Sequence, residues 1–452
     1  MKISTIILAA GQGTRMHSRR AKVLHTIASV PMLAHVIKAT ETLDIDQLIV
    51  VYGHNGAEVK AAIDDAAICW VHQQEQLGTG HAVQQAMSEI DDNSTVLVLY
   101  GDTPLIQGQT LQTLIDKAGD GLALLTTQLD NPEGYGRIIR NNAGAVQSII
   151  EHKDANAEQL EIGEVNTGIL AVAANRLRGW LGRLDNNNAQ AEYYLTDIVA
   201  LAVNDRVKVK PLICTDAEEV MGINNRKQQA DAERVYQQRE VEKQMMAGVT
   251  LLKPESVTIN GQLSCGMDVV IGQSVIFNGR VSIGDNVTIG PFCVINDSII
   301  GADVQIQSHS VIDNARVGAD CCIGPFSRIR PDAELEEKVH VGNFVEIKKS
   351  SIASETKINH LSYIGDSVVG SGVNIGAGTI TCNYDGANKY QTTIGDNVFV
   401  GSDTQLVAPV SIGDGATIAA GSTITKDVEA DVLALSRVTQ KSVKNWKRPV
   451  KK

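Results

Sequence analysis

The chain has 452 residues, too many for one ordinary domain. It is 43% hydrophobic but only 4% aromatic, so aliphatic side chains must fill its cores. Forty Lys and Arg face 52 Asp and Glu, and the net charge of −12 excludes a nucleic-acid partner needing a broad basic face. The seven cysteines (Cys69, Cys214, Cys265, Cys293, Cys321, Cys322 and Cys382) are odd in number and form no CxxC pair. They argue against a disulfide framework or a zinc site and suit free thiols in a reducing compartment.

The chain begins with an apolar run of about eight residues that enters a glycine loop directly, which reads as a strand and not as a signal peptide or membrane span. A soluble, cytoplasmic protein is expected. Further strands are expected at Leu48–Tyr52, Val96–Tyr100, Leu122–Thr126, Ile169–Val172 and Val207–Ile213, after Ile3–Leu8. Helical patterns such as Met32–Leu43 and Gly80–Met87 lie between them, so residues 1–224 predict an α/β domain with a mixed, mostly parallel sheet of Rossmann-like character. Asn225 to Ala247 lacks Gly and Pro and predicts one long helix, closed by Gly248, that links two domains over residues 225–248.

Residues 249–452 have another texture. An aliphatic residue returns every sixth position, as at Ile259, Ile271, Ile283, Ile289 and Ile295, then Ile323, Ile329, Leu335, Val341 and Ile347. The count slips by one at Ile300, Val317, Ile352 and Val369 and ends with Ile394, Val400, Leu406, Ile412, Ile418 and Ile424. A six-residue period predicts a parallel β-helix of hexapeptide repeats, an all-β fold. Val269, Val275, Val281, Val287, Cys293 and Cys321, two places before an aliphatic, are expected to line its interior. The glycine after many aliphatics, as at Gly284 and Gly413, is expected to relax the backbone at a corner. The slips read as shortened corners. The stretch Gly376–Thr393 breaks the period and reads as either a functional loop or a tolerated insertion. The lysine-rich end from Lys441 reads as a solvated tail.

Leu8-Ala9-Ala10-Gly11-Gln12-Gly13-Thr14-Arg15-Met16 follows the first strand and matches neither a Walker loop nor G-x-G-x-x-G. Its glycines and the cations Arg15 and Lys22 suit phosphate, yet a plain turn reads equally well. Asp102, after Tyr100-Gly101, ends a strand where such sheets bind ligands; it is either a Mg²⁺ ligand or a turn residue.

These stretches carry a resemblance. The glycine loop, Lys22–His25, Gln76–Ala82 and Tyr100-Gly101-Asp102 resemble sugar-1-phosphate nucleotidylyltransferases. With Gly342–Glu346, Asn374–Thr379 and Cys382–Gly386, the whole chain resembles the bacterial bifunctional N-acetylglucosamine-1-phosphate uridylyltransferase / glucosamine-1-phosphate acetyltransferases. Two places depart from that pattern: Gln12 stands where the family has a cation, and Ala21 where it has Pro.

The resemblance implies roles for individual residues. Leu8, Ala9, Ala10 and Gly11 would hold the nucleotide of UTP, with Gln73, Gly78 and Thr79 reading uracil, and Tyr100 and Gly101 would join the nucleotide and sugar contacts. Gly136, Glu151 and Asn166 would bind the amino sugar, Asp102 and Asn224 would hold Mg²⁺, and Arg15 and Lys22 would neutralise the phosphates. In the repeats, Arg330 and Lys348 would bind the phosphate of glucosamine-1-phosphate, with Tyr363 and Asn374 on the sugar and His360 as general base. Ala377, Asn383, Tyr384, Ser402, Ala420 and Arg437 would contact acetyl-CoA. Taken without the resemblance, His360 reads as a structural histidine and Arg330 and Lys348 as solvated cations. The implied left-handed β-helix would form a homotrimer with acetyl sites where subunits meet, and the product, UDP-N-acetylglucosamine, would feed bacterial envelope polymers. The partners are therefore small molecules: glucosamine-1-phosphate, acetyl-CoA, UTP and N-acetylglucosamine-1-phosphate. One rival reading keeps the uridylyl-type chemistry and makes the β-helix structural; another is a non-enzymatic exchange-factor subunit.

Overall fold

A computed structural model describes residues 2–11, 13–53 and 55–451. Gln12, one of the two departures noted above, lies outside the described residues. The chain divides into two compact units, Met1–Tyr236 and Gln237–Lys452.

The first unit holds strands β1 (Ile3–Ala9), β2 (Gln47–Tyr52), β3 (Ile68–His72), β4 (Thr95–Tyr100), β5 (Leu122–Gln128), β6 (Arg137–Arg140), β7 (Val146–Ile150), β8 (Glu164–Ala173) and β9 (Val209–Cys214). Helices α1 (Met32–Thr40), α2 (Gly56–Ala62), α3 (Thr79–Ala86), α4 (Gly108–Ala118), α5 (Ala157–Leu160), α6 (Ala174–Leu181) and α7 (Ile198–Asn204) join them. The sheet order is β9-β5-β8-β4-β1-β2-β3, with a β6–β7 hairpin hung from β8. Strand β1 runs parallel to β2 and β4, whereas β8 lies antiparallel between β4 and β5. Along β1, Ile6 and Leu8 enter one core and Ile7 and Ala9 another, so both faces of the sheet are covered. The expected strands are all present with ends somewhat shifted, and β3, β6 and β7 add to them.

Because β1, β2, β3 and β4 are parallel, their carboxyl ends share one edge of the sheet. Loops after these ends supply Ala10, Gly11, Arg15, Gln73 and Asp102 together. Helix α8 (Arg226–Met246) follows; Ala232 and Val235 are buried in the first unit. Among the described residues no helix is long and apolar enough to cross a membrane.

The second unit is a left-handed parallel β-helix of hexapeptide repeats. Val241 of α8 is buried with its first coils, and Gln244 Nε2 donates to the Leu263 carbonyl at 3.1 Å. The repeat aliphatics fill the interior: Ile295, Ile323, Ile347 and Val400 are fully buried. So are Val269, Val275, Val287 and Cys293 from the positions two before. The slips are shortened coils. Ile271 stacks on Ile289 after a full coil of three hexapeptides. Ile289 stacks on Ile306, and Val341 on Ile358, after coils one residue shorter. The coil from Ile375 to its partner Val400 is longer than any of these, because it carries the excursion.

Two sequence expectations change here. Gly284 and Gly413 are not the left-handed residues at the corners; Asn286, Asp303, Asp320 and their counterparts hold positive φ instead. Glycine is required because the next coil passes close: a Cβ on Gly284 would meet the Ala302 amide nitrogen at 2.7 Å. The interruption is also shorter than Gly376–Thr393. Ile380–Cys382 is a regular strand with Thr381 buried in the interior, so only residues 383–391 leave the coil. A threonine in an aliphatic place conceals that repeat.

Gly284→Ala should therefore cost about 2 kcal/mol, because the extra methyl overpacks a coil contact that cannot yield. Asn286→Gly should change stability by less than about 1 kcal/mol, since glycine accepts the same backbone angles. Denaturant unfolding of the two variants measures both.

Candidate functional site

The sheet edge of the first unit opens into a cleft of about 580 Å³. Leu8, Ala9, Ala10, Gly11, Arg15, Lys22, Gln73, Gly78, Thr79, Tyr100, Asp102 and Asn224 all line it. The local folding that produces this is specific. Gly13 has φ 63°, and a Cβ there would strike Lys22 Cβ at 2.7 Å, so the glycine loop can lie against the Lys22 turn. Gly78 has φ 110°, and a Cβ would meet the Tyr193 carbonyl at 2.7 Å. Ala21 already adopts φ −54°, the angle a proline would impose, so its departure from the family pattern leaves the turn geometry intact.

At the cationic end, Lys22 Nζ bonds Asp102 Oδ2 and, at 2.7 Å, Asn224 Oδ1. Arg15 donates to the same Asn224 oxygen at 2.9 Å. Residues far apart in sequence thus bring two cations and two oxygen donors to one point. The oxygens of Asp102 and Asn224 converge on a single ammonium, which is the arrangement a small hard cation would require. Mg²⁺ takes oxygen ligands and keeps waters and phosphate oxygens for its remaining positions. The pair therefore fits that ion. Among the described residues no cluster of three His, Cys, Asp or Glu offers an all-protein cage.

Gly136, Glu151 and Asn166 sit together beside the cleft. The Asn166 backbone N–H donates to the Gly136 carbonyl at 2.9 Å, and a Cβ on Gly136 would lie 3.4 Å from Glu151 Oε2. Thr196 donates to Glu151 Oε1 at 3.0 Å, while burial pushes the Glu151 carboxyl up. Tyr100 joins this group to the first: burial, then the charges of Glu151 and Asp102, raise its hydroxyl. Gly101 forms the turn between Tyr100 and Asp102, its amide donating to the Leu8 carbonyl at 3.0 Å. Sequence reading missed Gln76, which also lines the cleft and donates to the Ala10 carbonyl at 2.8 Å; it lies inside the Gln76–Ala82 motif and had no assigned role.

In the second unit the stacking brings distant residues into columns. Asn343 stacks on His360, and Ile358, Ile375, Val400 and Ile418 stack in turn. Each of these four is followed, two places on, by His360, Ala377, Ser402 and Ala420, which therefore form one column. Backbone bonds agree: Gly378 to Leu361 at 3.1 Å, Asp403 to Ala377 at 2.7 Å and Gly421 to Ser402 at 2.8 Å. A Cβ on Gly421 would lie 3.7 Å from Arg437 Cδ, so Arg437 closes the foot of the column. At its head, Asn343 Oδ1 lies 2.9 Å from His360 Nδ1. An amide oxygen accepts, so Nδ1 carries the proton and Nε2 keeps its lone pair. Asn374 lies between Lys357 and Phe399 on the same face.

A second column carries charge. The Arg330 backbone N–H donates to the Ile347 carbonyl, which sets Arg330 over Lys348, and Lys348 stacks on Gly365. Arg330 pairs with Glu346 at 2.6 Å. Glu346 in turn stacks on Tyr363. The excursion meets this column: Asn383 Nδ2 donates to Asp366 Oδ2 at 2.5 Å and lies 3.5 Å from the Tyr363 hydroxyl. Tyr384 remains exposed. Lys389, unassigned in the sequence reading, lies beside Lys348, and this neighbour holds its ammonium below the ordinary value, partly offset by Asp366 and Tyr363. Sequence separation hides such a pair; only the shape of the excursion creates it. All seven cysteines are free, and burial raises the thiols of Cys214, Cys265 and Cys321 to about 11.

Comparison with known families agrees with this division. Residues 5–161 match the MobA-like NTP transferase domain, residues 391–426 the bacterial transferase hexapeptide (six repeats), and residues 259–333 the GMPPB C-terminal domain. The chain is a transferase that joins a nucleotidyltransferase domain to hexapeptide repeats.

Asp197, near the amino-sugar group, is raised to about 6 by burial and then by Asp185, Glu151 and Asp154. Its folded value lies above the ordinary 3.8, so the folded chain holds a proton the unfolded chain has lost between those values. Stability from this group is fully present only below that ordinary value and is lost as pH rises from it through about 6. Asp197→Asn should therefore stabilise the protein by about 1 kcal/mol at pH 8, a figure reduced because the carboxyl is half-exposed and screened. Below about pH 3 the gain should vanish, as thermal melts at the two pH values would reveal.

Proposed function

We propose that the chain acetylates glucosamine-1-phosphate with acetyl-CoA and then joins N-acetylglucosamine-1-phosphate to UTP, giving UDP-N-acetylglucosamine and pyrophosphate. The observation that carries the proposal is His360. Its free Nε2 stands at the head of a column of small side chains, one column across from a row of cations.

In the second unit, Arg330, Lys348 and Lys389 would hold the sugar phosphate, with Tyr363 and Asn374 orienting the ring. The pantetheine arm of acetyl-CoA would lie along Ala377, Ser402 and Ala420, whose small side chains leave it room, while Arg437, Asn383 and Tyr384 hold its ends. The sugar amine then attacks the thioester carbonyl as His360 Nε2 takes the amine proton; the C–S bond breaks, and the departing CoA sulfur receives that proton from His360. Asn343 keeps the imidazole in the basic tautomer throughout.

In the first unit, a phosphate oxygen of the sugar attacks the α-phosphorus of UTP and pyrophosphate departs. Such a transfer needs positioning and charge neutralisation more than a protein nucleophile. Arg15 and Lys22 would neutralise the phosphates, Gly11 and its neighbours would approach them through backbone N–H groups, and Gln73, Gly78 and Thr79 would hold the base. Gly136, Glu151 and Asn166 would bind the acetylated sugar. Mg²⁺, held by Asp102 and Asn224, would supply further positive charge to the phosphate oxygens. A homotrimer in the cytoplasm, feeding envelope polymer synthesis, belongs to the same reading.

The match of residues 259–333 to the GMPPB C-terminal domain favours a second reading, a sugar-phosphate nucleotidylyltransferase whose β-helix is structural. Release of CoA from acetyl-CoA on adding glucosamine-1-phosphate separates the two; its absence sinks the bifunctional proposal. Lys22→Ala should lower uridylyl transfer by about 100-fold or more and leave acetyl transfer unchanged. His360→Ala should lower acetyl transfer by about 100- to 10,000-fold and spare uridylyl transfer. Loss of both activities from either folded variant would contradict two independent sites.

A further inference from the structure

A hydrogen-bonded chain runs from Gln73, one of the residues proposed to hold the base, to His81 and Gln85, which the proposed mechanism does not use. Gln73 follows β3 and is 3% exposed, with its backbone N–H on the Tyr52 carbonyl at 2.9 Å. Its side-chain nitrogen lies 3.1 Å from the Gly78 carbonyl and 3.1 Å from His81 Nδ1. A carbonyl can only accept, so the Gln73 amide is oriented with its NH₂ group here, and its second proton goes to His81. Nδ1 must then carry the lone pair. A neutral imidazole has its proton on the other nitrogen, so His81 Nε2–H points at Gln85, whose side-chain amide lies 3.1 Å away. The atom placed there is Gln85 Nε2; two donors cannot face each other, so the hydrogen-bond chain requires the Gln85 amide turned over, with its oxygen toward that proton. Gln85 is one helical turn after His81 on α3, the spacing at which side chains meet.

The consequence falls on the remaining atom. Both amide protons of Gln73 are committed, and its Oε1 makes no hydrogen bond among the described residues while Gln73 lines the cleft. That oxygen can only accept. We infer that His81, with its tautomer set by Gln85, is a positioning residue that locks Gln73 to recognise a nucleobase N–H, and so makes the cleft select uracil over cytosine. Uracil offers N3–H at its pairing edge; cytosine offers a bare N3 lone pair, which an oxygen repels. Without His81 one of the two bonds that orient the amide is lost and the Gly78 carbonyl alone resists its turning over, so the population that presents the NH₂ group to cytosine rises. The assignment rests on the uridylyltransferase reading given above.

The test uses the full chain with Mg²⁺ and N-acetylglucosamine-1-phosphate, comparing kcat/KM for UTP and CTP. His81→Leu removes the acceptor and should lower the UTP:CTP ratio about tenfold or more, because a site built to pair one hydrogen bond loses its discrimination when that group is free to turn. His81→Asn places an amide oxygen where Nδ1 stood and should hold the ratio within about threefold of wild type. A merely structural histidine would reduce both nucleotides alike. If His81→Leu does not fold, Gln85→Leu serves in its place and should lower the ratio at least about threefold. A wild type that prefers UTP, with folded variants that keep the preference, overturns the assignment alone. A wild type that uses neither nucleotide, or both equally, overturns the uridylyl reading and this inference with it.

Discussion

Hydrogen bonds between successive coils hold the strands of the second unit in register, each residue over its counterpart one coil away. Everything at the candidate acetyl site follows from that spacing. Glycines such as Gly284 let neighbouring coils close on one another, and the aliphatic interior drives the stacking. Side chains from separate repeats then fall into columns without any loop to gather them. His360, Ala377, Ser402 and Ala420 share a column only because the strands that carry them stay in register. Where the coil length changes most, between Ile375 and Val400, the extra residues emerge beside the cationic column and bring Asn383 and Lys389 to it.

The first unit solves the same problem differently. Parallel strands deliver their carboxyl ends to one edge, and short loops there hold Arg15, Lys22, Gln73 and Asp102 in place. Asn224 arrives from beyond the sheet, just before α8, and accepts from both cations. The cleft has a division of labour: charge at one end, hydrogen-bond direction at the other. Burial of Gln73 and the His81–Gln85 pair supply the second.

Periodicity made the repeat fold legible, since a six-residue recurrence has few other physical origins. It could also reveal coil lengths, because each slip removes a residue from a specific coil. It could not reveal the strand at Ile380–Cys382, where Thr381 occupies an aliphatic place. Nor could it say why glycine recurs after the aliphatics; close approach of backbones is a property of two coils, not one. In the first unit, alternation of strands and helices indicated an α/β sheet, but a run such as Glu164–Ala173 carries no mark of direction, and its antiparallel placement emerged only from pairing. Short strands with mixed composition, Ile68–His72 and Arg137–Arg140, fell below any pattern. At the sites, the glycine loop and Asp102 were visible as motifs. The partnerships were not: Arg15 and Asn224 come from opposite ends of the first unit, and the Gln73–His81–Gln85 chain depends on which way an amide faces.

The single excursion at residues 383–391 also governs how this fold can change in length. Removing one residue from a strand of the solenoid would slide all that follows out of column, turning interior side chains outward and parting His360 from Ala377. Adding residues at the excursion displaces nothing, because Asp366 ties its base through Asn383 and through the Thr392 amide, and the next strand resumes in step. The excursion is thus a place where an insertion of several residues leaves the frame of the structure unchanged. That place borders the cations, so variation in chain length is channelled to the rim of the site and kept away from its base.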